Sequence, residues 1–317
     1  MKKRILFLLL ISLTITALAG AEIKFTLLPE SPRRGEPVTI ALDTYATEAF
    51  LFVGGNQAAK GAVYHVEDTV GVPCYFAAIL TIPSTVAAGR AIIRINNERG
   101  QILEIPFTIA ARTFRQETIE LTPALTTLVT TRNERTIAEA NRLWQILITT
   151  GNQVYHYGPF VAPIATTRRT SQFGTRRVNQ YSDGRRVTSI HMGIDYGAPT
   201  GTEVYACGSG KVILARERVI TGNSVVIEHA PGLYSLYYHL DIITAKENAI
   251  VEAGEIIGTV GSTGFSTGPH LHWEIRLNTE NTDPDAFVAR PLIDKKQIIS
   301  RLFNIVEANL PEVEGGD

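Results

Sequence analysis

The stretch Gly261-Ser262-Thr263-Gly264-Phe265-Ser266-Thr267-Gly268-Pro269-His270-Leu271-His272-Trp273-Glu274-Ile275 decides how the second half of the chain folds. Its first nine residues are turn formers, so they read as a glycine-rich loop. Its last six alternate polar and apolar, which predicts a short strand. On a strand His270, His272 and Glu274 share one face, and Leu271, Trp273 and Ile275 share the other, toward a core. Two imidazoles beside a carboxylate make half of a metal site.

The other half is His191-Met192-Gly193-Ile194-Asp195. The i, i+4 spacing suits a helix, but Gly193, Gly197 and Pro199 argue against one. Read as a strand, His191, Gly193 and Asp195 share a face, and Gly193 leaves the space between them open for an ion or substrate. His191, Asp195 and one of the pair His270/His272 supply two nitrogens and one oxygen. Three protein ligands with an open fourth position are the pattern of a catalytic zinc site.

The remaining sequence sets the frame for this site. A chain of 317 residues has room for two ordinary domains. Hydrophobic content of 44% with 19% charged residues belongs to a globular protein. The formal net charge of −1 gives no basic surplus, so nucleic acid is not the expected partner. Met1-Lys2-Lys3-Arg4, the apolar run from Ile5 through Leu18 and the small residues Ala17, Ala19, Gly20 and Ala21 read as a secretory signal peptide, residues 1–21. Alanine at position 21, where a lipoprotein site needs cysteine, gives no support for a lipid anchor. No transmembrane span is expected in the mature chain. Loss of Lys2, Lys3 and Arg4 with the leader moves the charge to about −4. An exported chain permits a Cys74–Cys207 bridge, which would staple two predicted domains together; the pairing itself is left open.

From 22 to 111 short apolar runs such as Val38–Leu42, Ala49–Val53 and Ala91–Ile95 recur between turn signals. This rhythm predicts a mostly β chain opening with an immunoglobulin-like β-sandwich. Residues 112–158 read as a connector with one helix, capped by Thr131 or Asn133 and carrying the stripe Ile137, Ala140, Trp144 and Leu147, expected to pack against the next domain. Residues 159–293 form a second β domain. In it Gly210–Ala215, Ser224–His229 and Leu233–Leu240 read as an antiparallel meander, with a further short strand around Ile256 and Ile257. Residues 294–317 read as a C-terminal helix followed by an acidic tail.

His239 is placed at the end of the strand Tyr237-Tyr238-His239-Leu240, in the same domain as the metal half-sites, and is a candidate catalytic group. His229, entering a turn, is read as structural; His65 and His156 receive no role. With His191-x-x-x-Asp195, Tyr238-His239-Leu240, His270-x-His272 and the preceding Gly-Ser-Thr-Gly-x-Ser-Thr-Gly-Pro in hand, residues 159–293 resemble the lysostaphin-type (LytM-like) zinc metallopeptidases. Phe173-Gly174-Thr175-Arg176 is similar to that family's opening Phe-Gly-x-Arg.

The resemblance implies a two-layer antiparallel β peptidase domain with a groove. It implies Zn2+ on His191, Asp195 and His272, with His239 and His270 as the catalytic pair. It also implies a peptidoglycan endopeptidase that cuts amide bonds of stems or cross-links, acting in the periplasm or outside the cell. Glu274 is expected either to orient a histidine or to be an ordinary solvated strand residue. Ser262, Thr263, Ser266 and Thr267 are expected to shape their loop. Two competing readings follow from the same resemblance: a non-cleaving regulator of other wall hydrolases, and a wall-binding protein whose zinc is structural. The complete His/Asp set and the absence of a closed four-ligand cluster argue against them. The first domain is left with three roles to choose from: recruiting substrate, binding a cell-envelope protein or covering the groove. Oligomeric state is not addressed by the sequence.

Overall fold

A computed structural model of the chain describes residues 14–15, 23–66, 75–97, 100–131, 133–149, 151–291 and 293–304. All but two residues of the expected signal peptide, the acidic tail and Cys74 lie outside the described residues. The N-terminal half contains two sheets. One is five-stranded, in the order Thr14–Ile15, Ile23–Leu28, Pro37–Leu42, Tyr75–Thr81, Ala62–Val66; the other is four-stranded, in the order Asn56–Lys60, Glu48–Val53, Gly89–Asn96, Ile102–Ile109. Ile40 and Leu80 of the first sheet and Leu51, Ile93 and Ile105 of the second meet in one core. The alternation of Gly89–Asn96, with Ala91, Ile93 and Ile95 buried, makes one face of its sheet apolar. The result is a sandwich of two packed sheets.

Two helices follow, α1 (Pro123–Thr130) and α2 (Glu134–Ile148). Asn133 caps α2, and its side chain and that of Thr136 form a reciprocal capping box. The stripe on α2 is only partly used: Leu147 packs with Leu214, Val226 and Leu236, whereas Ile137 and Trp144 stay exposed. The connector also contributes a strand that the sequence did not announce. Gln116–Glu120 pairs in parallel with Arg176–Gln180, which pairs in turn with Arg186–Ile190.

The C-terminal half is built on an antiparallel sheet in the order Arg169–Ser171, Ile194–Gly197, His270–Leu277, Leu233–Ile243, Gly222–Ala230, Gly210–Arg218, Ile250–Val251. Glu203–Tyr205 and Ile256–Val260 branch from this path, and their Val204, Ile257 and Val260 share a core with Val225, Tyr237 and Trp273. The sheet thus folds over itself into two layers. Leu271, Trp273 and Ile275 are fully buried in that core. Helices α3 (Asp285–Ala289) and α4 (Lys295–Phe303) complete the described chain. Ile298, Ile299 and Leu302 of α4 pack on Leu28, Ala41, Tyr75 and Ala77, so the last helix returns to the N-terminal sandwich. Among the described residues no helix is long and apolar enough to cross a membrane.

Three local expectations are corrected. The strand after His191 starts only at Ile194, so His191 and Gly193 lie ahead of it and only Asp195 is a strand residue. A Cβ on Gly193 would overlap the Trp273 carbonyl oxygen. The glycine is therefore required by backbone approach between neighbouring strands rather than by space for an ion. Finally, the strand carrying His239 does not end at Leu240; it runs on to Ile243, because Leu240 and Ile243 pair with Val260 and Gly258.

Candidate metal centre and groove

Two adjacent strands bring the half-sites together. Asp195 and His272 are directly paired in the antiparallel register of Ile194–Gly197 with His270–Leu277. On the other side, His272 pairs with Tyr238 of Leu233–Ile243, whose ring stacks on the His272 imidazole at 5.4 Å between centroids. His239 comes next, at φ 64°, a left-handed conformation costly for a residue with a Cβ. Its N–H donates to the Thr221 carbonyl at 2.9 Å, which holds the kink.

His191, Asp195 and His272 form one compact buried group. Oδ1 of Asp195 lies 2.9 Å from Nε2 of His191 and 2.8 Å from Nδ1 of His272, and the two nitrogens are 3.0 Å apart. The remaining ring nitrogens are anchored. Nδ1–H of His191 donates to the Gln172 carbonyl at 3.0 Å, and Nε2 of His272 faces Glu274 at 3.3 Å. His239 and His270 stand beside this group with rings 4.8 Å apart. Each also donates Nδ1–H to a carbonyl at 2.8 Å, Thr263 for His239 and Gly268 for His270. A carbonyl can only accept, so in both rings Nε2 is left as the free nitrogen. Nε2 of His270 lies 3.8 Å from Asp195 Oδ1.

Electrostatics follow from burial and pairing. Asp195 is held well below the usual carboxylate range: burial opposes ionisation, but hydrogen bonds from His191 and His272 outweigh it. Burial also opposes the charged form of His272, yet the bonds to Asp195 and Glu274 raise it to about 9. For His239, burial and the neighbouring His270 and His272 act in the same direction and lower it to about 3, so its ring is neutral. Glu274 is 3% exposed and therefore no solvated strand residue. It accepts from Asn281 Nδ2 at 2.5 Å and from Arg276; burial opposes its ionisation, but Arg276 and His272 outweigh it and lower it to about 2.

The centre opens into a groove of about 360 Å³ whose apolar lining includes Ile119, Ile190, Met192, Ile220 and Phe265. Hydroxyl groups shape the glycine-rich side. Thr263 donates to the Leu240 carbonyl at 2.7 Å and accepts from the Asn223 N–H at 2.9 Å, while Ser266 donates to the Gly268 carbonyl at 2.8 Å. Gly264, at φ 73°, packs so closely on Gly222 that a Cβ would overlap it.

The five residues singled out in the sequence (His191, Asp195, His239, His270 and His272) all line this groove. Sequence reasoning missed Arg177, whose Nη2 donates to Asp195 Oδ2 at 2.7 Å, as well as Glu117, Ile119 and Phe265. Arg176, which belongs to the opening motif, faces elsewhere: it sits 4.4 Å from the Phe114 ring and donates to the Ser84 carbonyl. His229 is fully buried, donating to the Ser209 carbonyl and bonded to Ser235.

Residues 189–284, which contain the three grouped residues and both flanking histidines, match the sequence profile of peptidase family M23. The chain carries a peptidase family M23 domain. It is 43% identical over 124 residues to the DD-carboxypeptidase/endopeptidase Mpg of Neisseria meningitidis, which covers 39% of this chain and 28% of that protein. It is 36% identical over 152 residues to the peptidoglycan DD-endopeptidase ShyB of Vibrio cholerae, covering 45% of this chain and 35% of that one. The chain thus spans about a third or less of the length of these curated relatives. A Pseudomonas aeruginosa crystal structure assigned to peptidase M23 superposes over 81% of this chain and 94% of its own, with a TM-score of 0.59 at 22% identity, which speaks for the fold alone. The matched segment contains the His–Asp–His group, whose grouping is suited to a metal.

Proposed function

We propose that the chain is an exported zinc-dependent endopeptidase that hydrolyses peptide bonds in peptidoglycan stems or cross-links. The observation that carries this reading is the grouping of four imidazoles and Asp195 in one groove, three of the rings with one nitrogen pinned by a backbone carbonyl and His272 by Glu274. The relatives from Neisseria meningitidis and Vibrio cholerae, named for cleavage of this polymer or of DD-peptides, support the substrate class.

The donor set fits zinc. Two imidazole nitrogens and one carboxylate oxygen match its preferred ligands, and separations of 2.8–3.0 Å are close to the edge of about 3.3 Å that tetrahedral zinc bonds of about 2.0 Å require. His191, Asp195 and His272 would hold the ion, leaving one position toward the groove. Bound zinc would supply Lewis acidity, polarising the scissile carbonyl and acidifying water. The chain's own residues supply the rest. Neutral His239 presents Nε2 as the acceptor for the proton of the attacking water. His239 then returns that proton to the leaving amine, while His270, on the same side, stabilises the developing oxyanion when its Nε2 carries a proton. The apolar walls exclude water and take short apolar side chains flanking the cut bond.

This reading includes the division into a signal peptide, an N-terminal sandwich, a connector, a peptidase domain at 159–293 and a C-terminal helix with its tail. Its support is the sandwich core, drawn entirely from Val38 to Ile109. The test uses the purified chain on isolated peptidoglycan, with and without a chelator, reading new amino termini by mass spectrometry. Termini that vanish with chelator and with His270→Ala are expected; a zinc-loaded protein that releases no fragment would overturn the proposal.

A further inference from the structure

The strand Gln116–Glu120 lies outside the segment matched to the peptidase family, yet it reaches the metal centre. Its alternation puts Glu117 and Ile119 on one half-buried face and Gln116, Thr118 and Glu120 on the exposed one. Ile119 lines the groove. Glu117 is the direct register partner of Arg177 in the parallel pairing and accepts from Arg177 Nε and, at 3.0 Å, from Ser171 Oγ. Arg177 in turn holds Asp195 Oδ2 at 2.7 Å. The two oxygens of Asp195 are thereby divided, Oδ1 toward His191 and His272 and Oδ2 toward the guanidinium.

We propose that Glu117 is a positioning residue for the metal centre, acting through Arg177 to fix the rotation of Asp195 and to cancel the cation beside it. This rests on His191, Asp195 and His272 being the metal ligands. Two physical effects point the same way. A planar guanidinium clamped between two carboxylates has one orientation, so the Asp195 carboxylate cannot swing Oδ1 out of the group. In addition, Arg177 alone would neutralise the charge with which Asp195 attracts a cation; adding Glu117 returns the trio to a net negative charge. Partners of this kind, one bond removed from the ligand, set both ligand orientation and affinity.

The test is zinc affinity of the full chain, measured by competition with a chelating fluorophore, together with the visible spectrum of the Co(II)-substituted protein. Glu117→Ala is expected to weaken zinc about 10–100-fold and shift the cobalt bands. Glu117→Gln, which keeps the acceptor but not the charge, should fall between wild type and Glu117→Ala. Should Glu117→Ala not fold, Glu117→Gln carries the test with at least about a threefold loss. Glu117→Asp should recover part of the affinity, and Thr118→Ala, on the opposite face of the same strand, should leave it unchanged. Wild-type affinity and spectrum in both Glu117→Ala and Glu117→Gln, while Asp195→Ala loses the ion, would overturn the role of Glu117 and leave the ligand assignment standing. A wild-type protein that binds no zinc would overturn both.

Discussion

His191 Nε2 and His272 Nδ1 stand 3.0 Å apart although 81 positions separate them in the chain. Neither ring is free to turn away, because the far nitrogen of each has its own acceptor, the Gln172 carbonyl or the Glu274 carboxylate. These partners fix both rings, and on the proposed assignment the four histidines divide into two kinds. His191→Ala and Asp195→Ala should lose bound zinc and activity together. His239→Ala and His270→Ala should retain zinc and lower kcat/KM by roughly 10²–10⁴-fold. Metal content by mass spectrometry beside turnover separates the two; equal zinc loss in all four variants would contradict the division.

Gly193 gives a sharper structural test. Its missing side chain faces the Trp273 backbone, which cannot move without disturbing the pairing of Asp195 with His272. Gly193→Ala should lower the thermal midpoint and reduce zinc occupancy, whereas Gly184→Ala, at a turn with open space around it, should leave zinc occupancy intact. Full occupancy in Gly193→Ala would remove the packing explanation.

Glu274 supports the site from below. Glu274→Gln removes the carboxylate paired with the partly exposed Arg276 and weakens the hold on His272. A lower unfolding free energy is expected, together with weaker zinc binding. Urea titrations of the two proteins that coincide would show that Arg276 finds its compensation elsewhere.

His229 predicts a pH dependence. Burial lowers it to about 3, against about 6.5 in an unfolded chain. Below that unfolded value the unfolded state takes up a proton that the folded state refuses, so stability falls as pH drops from about 6.5 toward 3. The slope for this one group approaches about 1.4 kcal/mol per pH unit. In His229→Gln the denaturant midpoint should change less between pH 7 and pH 5 than in wild type, and an unchanged slope would assign the effect to other groups.

Leu302 tests the return of α4 to the sandwich. It is 2% exposed among residues of the five-stranded sheet, so Leu302→Ala should cost about 2–5 kcal/mol. Calorimetry that shows no change in any transition would mean that the helix is not held there.

The alternation from His270 to Ile275 was legible because a strand sorts neighbours by parity, whatever it packs against. The five-residue site was legible because its histidines recur in short motifs, and the resemblance supplied the division of labour between His270 and His272. Gly193 was misread, since its constraint comes from the backbone of Trp273, a neighbour only in space. Glu274 stayed undecided, because its burial depends on Asn281 reaching it from the strand Glu280–Thr282, across a turn. Glu117 and Arg177 gave no signal at all. A parallel pairing between a connector strand and a segment some sixty residues later leaves no local pattern, and the arginine next to Arg176 looks like any other surface charge.

The return of α4 has a mechanical consequence. The chain passes from the sandwich to the peptidase half through the connector, and comes back through Lys295–Phe303 to lie on Ala41 and Ala77. A protease that nicks the connector near Thr131 should therefore yield two fragments that still migrate as one particle, with the groove wall and the sandwich buckled together by a helix that the cut does not touch.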